Sequence, residues 1–518
     1  MPADAPTMRP NATLDWLLPL ALWASGLSAA WTWLRARNSL WEDEIIAITH
    51  GLQHGWLFFS EILRNDIHQF VYYLLLKGWT SFNFGSDAWA LSSSLILMVL
   101  NACLLAAVVR REFGPREALW ASGVFCALPA FAWSAANLRM YALIPGLVLL
   151  AWWANRAVLR STHKGAFLGL FLAEAALVGT HAIGFYFVFF LAIASALQGW
   201  SSSDRTMRKR WLLAQLGVAV VAAPLALATM LRGTPMHVES PSLWGLLGTG
   251  AELMYPEGVG DTPFLKAVGP LLLPVLILLG CWHRGARSLV LAMPVAALVV
   301  GVGVSALGKP MFKAPVYAAH LMPFLAIGAG VGIARLSGSI RPLIGLGVTG
   351  LVALSCWQWI GHTHIPENFK PAGEYLQAHA QPGDVVVAPS LSVFWGVLRY
   401  SGQPAWGEPL TVMPLTSNSV WTRIKQKLGP TVSERLGLNP TTDTVEIRGV
   451  RYVIANQPAS QPAAGGRIWV VHRVRYIEPV TLPTPGQIAA VTWFGKELAV
   501  TEVQPRQGGL TEVLNPTP

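Results

Sequence analysis

Residues 14–51, "LDWLLPLALWASGLSAAWTWLRARNSLWEDEIIAITHG", decide the architecture of this chain. An apolar run from about Leu14 to Leu34 is long enough to cross a bilayer. The acidic triplet Glu42-Asp43-Glu44 follows directly, at the outer mouth of that helix. Carboxylates so close to hydrocarbon are costly unless they face a polar cavity or take part in chemistry. The stretch therefore predicts a membrane protein with a functional polar site at one membrane face.

The composition supports a polytopic membrane protein. Of 518 residues, 53% are hydrophobic and 12% are charged, about half the charged share of an average soluble protein. Many of the 23 tryptophans lie near the ends of apolar runs, as interfacial belts require. The net charge of +10 comes from basic residues clustered in short loops, which is typical of topology control and argues against a nucleic-acid partner.

Apolar runs long enough to span a bilayer predict about 11 transmembrane helices. They lie at about 12–34, 88–109, 118–136, 142–159, 166–181, 183–199, 212–231, 264–282, 288–307, 316–335 and 341–361. Basic loops such as "RREFGPR" and "DRTMRKR" occur at every second junction, which indicates the cytoplasmic side. The shorter apolar segment 68–84 is interpreted as an interfacial helix on the outer surface. Residues 35–87 are therefore predicted to form a long structured outer loop.

The composition changes after residue 361. "NFKPAGEYLQAHAQPGDVVVAPS" predicts a helix, a Pro-Gly turn and a short buried strand. Runs such as "VEIRGVRYVIAN" predict further strands. The sequence thus predicts a transmembrane module over 1–361 and an extracytoplasmic α/β domain over 362–518.

Candidate site residues begin in the predicted outer loop. His50 and His54 have the i, i+4 spacing that can hold a divalent metal beside a carboxylate, or they form one polar face of an interfacial helix. Asp66 could cap the interfacial helix, take part in an active site or join such a metal site. His68, two residues later, could bind an acceptor or orient a carboxylate.

Basic residues are expected at the same membrane face. Arg139, in the short outer loop "ANLRMYAL", could reach lipid head groups or bind a phosphate in bidentate fashion. His181 lies at an outer turn between two predicted spans. Lys309 and Lys313 lie in an outer loop against the positive-inside bias, which indicates a ligand phosphate.

Taken in chain order, these pieces resemble the GT-C superfamily of polytopic transferases that use lipid-linked sugars. The similarity is to protein O-mannosyltransferases, lipid A aminoarabinose transferases and lipopolysaccharide galacturonic acid transferases. The motifs that carry it are Asp43-Glu44, Asp66-Ile67-His68, Arg139-Met140-Tyr141-Ala142-Leu143, and Tyr317 with Pro323. The sequence departs from the pattern at Gln69-Phe70, where prolines are usual, and at Val316, where an arginine is usual.

The resemblance implies a glycosyltransferase that moves a sugar, with inversion, from a polyprenyl-phosphate donor to an acceptor hydroxyl on a lipid, glycan or protein. It implies that Asp43 is the general base and that Glu44 orients the acceptor or tunes Asp43. It also implies that the donor phosphate is bound by Arg139, Tyr141, Lys309 and Lys313. Supporting or acceptor roles fall to Asp66, His68, His181 and Tyr317.

The resemblance also bears on cofactor and location. Because the superfamily has metal-dependent and metal-independent members, a divalent cation is left open, with His50, His54 and Asp66 as candidate ligands. Membrane lipid is a partner, and the expected location is a bacterial inner membrane, with the active site and the C-terminal domain on the periplasmic side.

Two other classes fit parts of the sequence. A transporter or flippase of a lipid-linked saccharide would place charged residues within its spans, and Glu174 is the main carboxylate inside a predicted span. A membrane scaffold would use the outer domain to bind partners. The crowding of ionisable residues at one loop system favours the enzyme.

Overall fold

The structure is a computed structural model. It describes residues 12–37, 39–52, 70–83, 86–160, 163–181, 183–199, 205–232, 280, 319–336, 340–347, 350, 367–401, 444–454, 465–473, 486–494 and 498–505.

The chain divides into two compact units. The first, here called the helical unit, comprises residues 1–34, 68–72 and 91–363. The second, here called the sheet unit, comprises residues 35–67, 73–90 and 364–518. The segment that carries the acidic triplet thus groups with the C-terminal part of the chain.

The bounds of thirteen α-helices are described within these ranges. They are α1 (Ala12–Ala36), α2 (Glu42–Leu52), α3 (Phe70–Thr80), α4 (Asp87–Glu112), α5 (Pro115–Ala127), α6 (Pro129–Ala135), α7 (Ile144–Arg160), α8 (Lys164–Val178), α9 (Ile183–Gly199), α10 (Arg205–Arg232), α11 (Met322–Ala334), α12 (Phe369–His379) and α13 (Leu391–Tyr400). A short 3₁₀ helix, Met140–Ala142, precedes α7.

Part of the predicted set of membrane spans is visible in the described ranges. Four helices there are long and apolar enough to cross a membrane, and a fifth span results if α5 and α6, bent by 64°, are counted together. The bend lies at Leu128, whose backbone is extended, because the following Pro129 disfavours helical geometry at the residue before it. The total of about 11 spans stays a prediction. The 11-residue helix α3 is too short to span a bilayer.

Close helix packing holds the helical unit together. Helix α11 packs along α5, and α7 packs along α8. At Gly330 an added Cβ would collide with the backbone of Ala121, so the two helices can approach this closely only because the residue is glycine. Small residues serve this purpose in membrane proteins, where helix association depends on van der Waals contact.

The sheet unit contains a six-stranded mixed sheet of order β2-β3-β1-β4-β6-β5. Its strands are β1 (Val385–Ala388), β2 (Thr444–Ile447), β3 (Val450–Ile454), β4 (Ile468–Arg473), β5 (Gly486–Phe494) and β6 (Leu498–Pro505). The central strand β1 is buried along its whole length and runs parallel to β3 and β4. Helix α12 packs on α13, and α13 packs on both β3 and α2. The mostly helical chain with a C-terminal sheet therefore agrees with the predicted fold class.

Candidate active site

The acidic triplet forms the first turn of α2. Glu42, Asp43 and Glu44 are its first three residues, and carboxylates are stabilised there by the free N–H groups and the positive end of the helix dipole. The N–H groups of Glu44 and Ile45 donate to the Trp41 carbonyl, over 3.0 and 2.9 Å. In return, the Trp41 N–H donates to Glu44 Oε2 over 3.2 Å. This reciprocal capping fixes where the helix begins.

Glu44 is a buried ion-pair partner. Its side chain is 0% exposed, and that of Arg37 is 2% exposed. Arg37 Nη1 donates to Glu44 Oε1 over 2.7 Å, and Nη2 donates to Oε2. Arg37 Nη2 also donates to the Ser39 carbonyl over 3.2 Å. Glu44 therefore anchors the helix start to the preceding chain, and its predicted role toward an acceptor stays a prediction.

Glu42 is held by residues from the C-terminal part of the sheet unit. Arg473, the last residue of β4, donates from Nη1 to Glu42 Oε2, and Ser392 Oγ donates to Oε1 over 2.5 Å. The Glu42 N–H donates to Glu367 Oε2 over 3.0 Å. Sequence reasoning did not identify Arg473, Ser392 or Glu367 as site residues. The available signal was an arginine at the end of a buried strand whose first four residues are apolar.

Asp43 lies between these two anchored carboxylates. The residue is partly exposed, whereas Glu44 is fully buried. A base must be reachable by the hydroxyl whose proton it takes, and in the triplet Asp43 has more accessible surface than Glu44.

A second anchor holds the chain just before α2 and the start of α4. The Tyr400 hydroxyl accepts a hydrogen bond from the Leu40 N–H over 3.0 Å and donates to Asp87 Oδ2 over 2.5 Å. Arg399 pairs with the same Asp87 carboxylate. Burial, together with the Asp87 carboxylate, raises the pKa of Tyr400, so its hydroxyl keeps the proton that it donates. Helix α13 thus contributes Ser392 near its start and Arg399 and Tyr400 at its end.

In the helical unit, Arg139 lies in a tightly held loop. The residue is buried, has extended backbone geometry and precedes the 3₁₀ helix. From α4, Ser94 Oγ donates to the Asn137 carbonyl over 2.6 Å, and Asn101 Nδ2 donates to the Ala142 carbonyl over 2.7 Å. These two donors lie two helical turns apart and hold the loop on either side of Arg139. Polar residues within an apolar helix were the sequence signal for this arrangement.

Two predicted site residues from separate segments meet in the same unit. The rings of Tyr141 and His181 have centroids 6.2 Å apart, and those of Tyr141 and Trp133 are 5.2 Å apart. Tyr141 and His181 are both buried. The His181 N–H donates to the Leu177 carbonyl over 3.3 Å, which places the histidine just after the end of α8.

The remaining predicted residues are not described. Asp66, His68, His54, Lys309, Lys313 and Tyr317 lie outside the described residues, and of His50 only the backbone is described. Across the ranges that the structure does describe, no group of three or more His, Cys, Asp or Glu residues is arranged to hold a metal ion.

Comparison with known proteins identifies the fold. No protein-family profile matches the chain, and no curated protein matches its sequence. The apo structure of ArnT from Cupriavidus metallidurans is similar over 95% of this chain and 98% of its own, with a TM-score of 0.52 and 14% identity. ArnT bound to undecaprenyl phosphate gives a TM-score of 0.49 at 13% identity over 95% of this chain and 97% of its own.

A second transferase has a similar structure. The oligosaccharyltransferase of Archaeoglobus fulgidus, solved with Zn and sulfate, is similar over 87% of this chain and 68% of its own, with a TM-score of 0.50 and 12% identity. At these identities the similarity shows the fold alone. The chain therefore has the fold of these two solved transferases, both of which belong to the superfamily that its motifs resemble.

Proposed function

We propose, from the fold that this chain shares with ArnT, that it is a membrane glycosyltransferase that uses a polyprenyl-phosphate-linked sugar. The observation that carries the proposal is the first turn of α2. There, a partly exposed Asp43 lies between Glu42 and Glu44, and each of these two carboxylates is paired with an arginine. Such a turn can present one carboxylate to a substrate while the neighbouring charges are compensated.

In the proposed reaction an acceptor hydroxyl attacks the anomeric carbon of the donor sugar. The new bond joins the acceptor oxygen to that carbon, and the bond from carbon to the lipid-phosphate oxygen breaks on the opposite face, so the configuration inverts. Asp43 takes the hydroxyl proton in the transition state. The products are the glycosylated acceptor and the free polyprenyl phosphate, which leaves with the bonding electron pair.

Charge on the leaving phosphate needs fixed cations and hydrogen-bond donors. We assign the donor phosphate to Arg139 and Tyr141, and to Lys309 or Lys313, from the motif resemblance. The hydrogen bonds from Ser94 and Asn101 to the Arg139 loop support this assignment, because a preorganised cation does not have to be reoriented as the charge develops.

The other predicted residues keep supporting roles in the proposal. Asp66, His68, His181 and Tyr317 contact or orient the acceptor. If a divalent cation takes part, His50, His54 and Asp66 are the candidate ligands, and carboxylate and imidazole groups suit such an ion.

The proposed setting is a bacterial inner membrane crossed by about 11 helices. The active site and the C-terminal domain face the periplasm, since the basic loops alternate as cytoplasmic loops do.

The test is a transfer assay in proteoliposomes with radiolabelled undecaprenyl-phosphate pentoses and hexoses. Envelope lipid, glycan and protein fractions serve as acceptors. We expect free undecaprenyl phosphate to appear together with label in one acceptor fraction. The anomeric configuration of that product, read by NMR, should be inverted. Label that crosses the bilayer but stays on its lipid would overturn the proposal in favour of a carrier.

A further inference from the structure

We propose that Arg473 is a positioning residue: it holds Glu42, and through it the turn of α2 that carries Asp43, in the geometry needed for transfer. The inference rests on the proposed function, in which Asp43 is the base. It adds that the C-terminal sheet sets the position of a residue encoded near the N-terminus.

The contact between β4 and α2 is direct. Arg473 is the last residue of β4 and its side chain is 6% exposed, whereas that of Glu42 is 22% exposed. Its Nη1 donates to Glu42 Oε2, and the other oxygen of the same carboxylate accepts from Ser392 Oγ over 2.5 Å. Both oxygens of Glu42 are therefore held by the C-terminal part of the sheet unit.

Glu367 contacts both Glu42 and Arg473. Its Oε2 accepts the backbone N–H of Glu42 over 3.0 Å, and its Oε1 lies 3.5 Å from Arg473 Nη1. The same guanidinium nitrogen thus contacts two carboxylates, one of which also binds the backbone N–H of Glu42, the residue before Asp43. Side chain and backbone of Glu42 are both fixed, so the first turn of α2 has little freedom to rotate.

The charges explain why Arg473 matters more than a single hydrogen bond. Without it, the carboxylates of Glu42 and Glu367 would face each other with reduced compensation, and Glu367 is only 3% exposed. Like charges in a poorly solvated site repel strongly. The least costly relief is a displacement of the α2 turn, which would move Asp43.

The experiment compares kcat and KM of full-length variants in proteoliposomes. Arg473→Met keeps a flexible, unbranched side chain and removes the guanidinium charge. We expect kcat to fall on the order of 100-fold, as small misplacements of reacting groups produce, with an unchanged KM for the donor. Arg473→Lys should recover part of the kcat, because a single cationic nitrogen contacts both carboxylates in the native side chain.

The matched control is Arg467→Met. Arg467 immediately precedes β4 and pairs with Asp384 and Glu502 within the sheet, so it loses the same charge without touching α2. We expect its kcat to stay near that of the wild type. A kcat loss equal to that of Arg473→Met would overturn the proposal, because the effect would then come from a weakened sheet.

A double variant tests whether Arg473 acts through Glu42. Glu42→Gln lowers the repulsion that Arg473→Met creates, so the double variant should be no slower than Arg473→Met alone. A kcat loss in the double variant equal to the product of the losses in Glu42→Gln and Arg473→Met would overturn the proposal.

Hydrogen exchange separates this inference from the proposed function. If the wild type transfers no sugar, the proposed function fails, but amide exchange over 42–52 can still be compared between variants. Faster exchange there in Arg473→Met than in Arg467→Met supports the positioning role. Equal exchange in the two variants overturns it.

Discussion

Two segments that carry predicted site residues are held in opposite ways. The first turn of α2, in the sheet unit, is held by charges: Arg37 pairs with Glu44, and Arg473 pairs with Glu42. The loop that carries Arg139, in the helical unit, is held by neutral donors, Ser94 and Asn101 of α4. Each segment is held by at least one side chain distant in sequence, Arg473 for the turn and Ser94 and Asn101 for the loop, but the chemistry of the support differs.

The difference follows from the charges that each segment carries. A turn with three adjacent carboxylates repels itself, and Arg473 and Arg37 compensate the charges of Glu42 and Glu44. Carbonyl groups held by a serine and an asparagine fix the backbone and leave the net charge of the loop unchanged. Ion pairs thus support the acidic turn, and neutral hydrogen bonds support the backbone of the Arg139 loop.

The largest expected effect tests the charged segment itself. Asp43→Asn keeps the size of the side chain and removes the base, so kcat should fall by about 10²–10⁴-fold. Circular dichroism and the elution volume should match the wild type. Retained turnover in a well-folded variant would remove Asp43 from the role of base.

The second prediction tests the buried ion pair. Arg37→Met leaves the Glu44 carboxylate buried without the guanidinium that pairs with it. The free energy of unfolding should fall by about 3–5 kcal/mol, measured by thermal unfolding of the full-length protein. Arg160→Met is the control, because Arg160 is 56% exposed and its pair with Glu112 should contribute about 0–1 kcal/mol. Similar losses in the two variants would contradict a special role for the buried pair.

The third prediction concerns pH. His472 in β4 is buried, and burial lowers its pKa to about 4, below the value of about 6.5 expected in the unfolded chain. The unfolded chain therefore binds more protons between these two values, so stability is complete above pH 6.5 and falls as the pH is lowered toward 4. The expected loss is about 3 kcal/mol at most. His472→Leu should flatten this dependence in unfolding curves at pH 7 and pH 5; an unchanged slope would assign it to other groups.

The fourth prediction tests the basic segment. Arg139→Ala should weaken donor binding by about 1.5–3 kcal/mol, since it removes charged hydrogen bonds to the phosphate, and should leave acceptor binding unchanged. Isothermal titration with undecaprenyl phosphate measures the first quantity. Arg139→Lys keeps the charge but loses the bidentate geometry, so its donor affinity should lie between that of the wild type and that of Arg139→Ala. Equal donor affinity in all three proteins would indicate a structural arginine.

The smallest expected effect tests the neutral support. Asn101→Ala removes the hydrogen bond to the Ala142 carbonyl and should cost about 0.6–1.7 kcal/mol, together with a rise in donor KM smaller than that of Arg139→Ala. Thr80→Val is the control, because the Thr80 hydroxyl bonds the Leu76 carbonyl of its own helix. A larger change in donor KM for Thr80→Val than for Asn101→Ala would contradict the support of the Arg139 loop by Asn101.

Much of the fold could be predicted from the sequence. The predicted helix and strand on either side of the Pro-Gly turn correspond to α12 and β1, and the predicted interfacial segment 68–84 contains α3. Such elements depend on local patterns of apolar residues, turn residues and caps, which can be read without knowing the partners. The motifs, taken in chain order, predicted the fold that the chain shares with the two solved transferases.

The supports of the candidate site could not be predicted. Sequence reasoning assigned Glu44 a role beside Asp43, which stays a prediction, but it did not identify the buried pair of this carboxylate with Arg37. It also passed over Ser94 and Asn101, since a polar residue in an apolar helix does not reveal which carbonyl it will reach. The meeting of Tyr141 with His181 depends on how two loops approach each other, and no local pattern records that.

The sequence by itself determined a membrane protein with an acidic turn, an arginine loop and a C-terminal α/β region, because hydropathy and charge act over a few neighbouring residues. Only the tertiary structure decided which charges compensate one another. Glu42 and Arg473 are 431 residues apart along the chain, and their contact exists because β4 and α13 pack where α2 begins. Coulomb attraction depends on distance in space, and that distance is set by the packing of the whole unit.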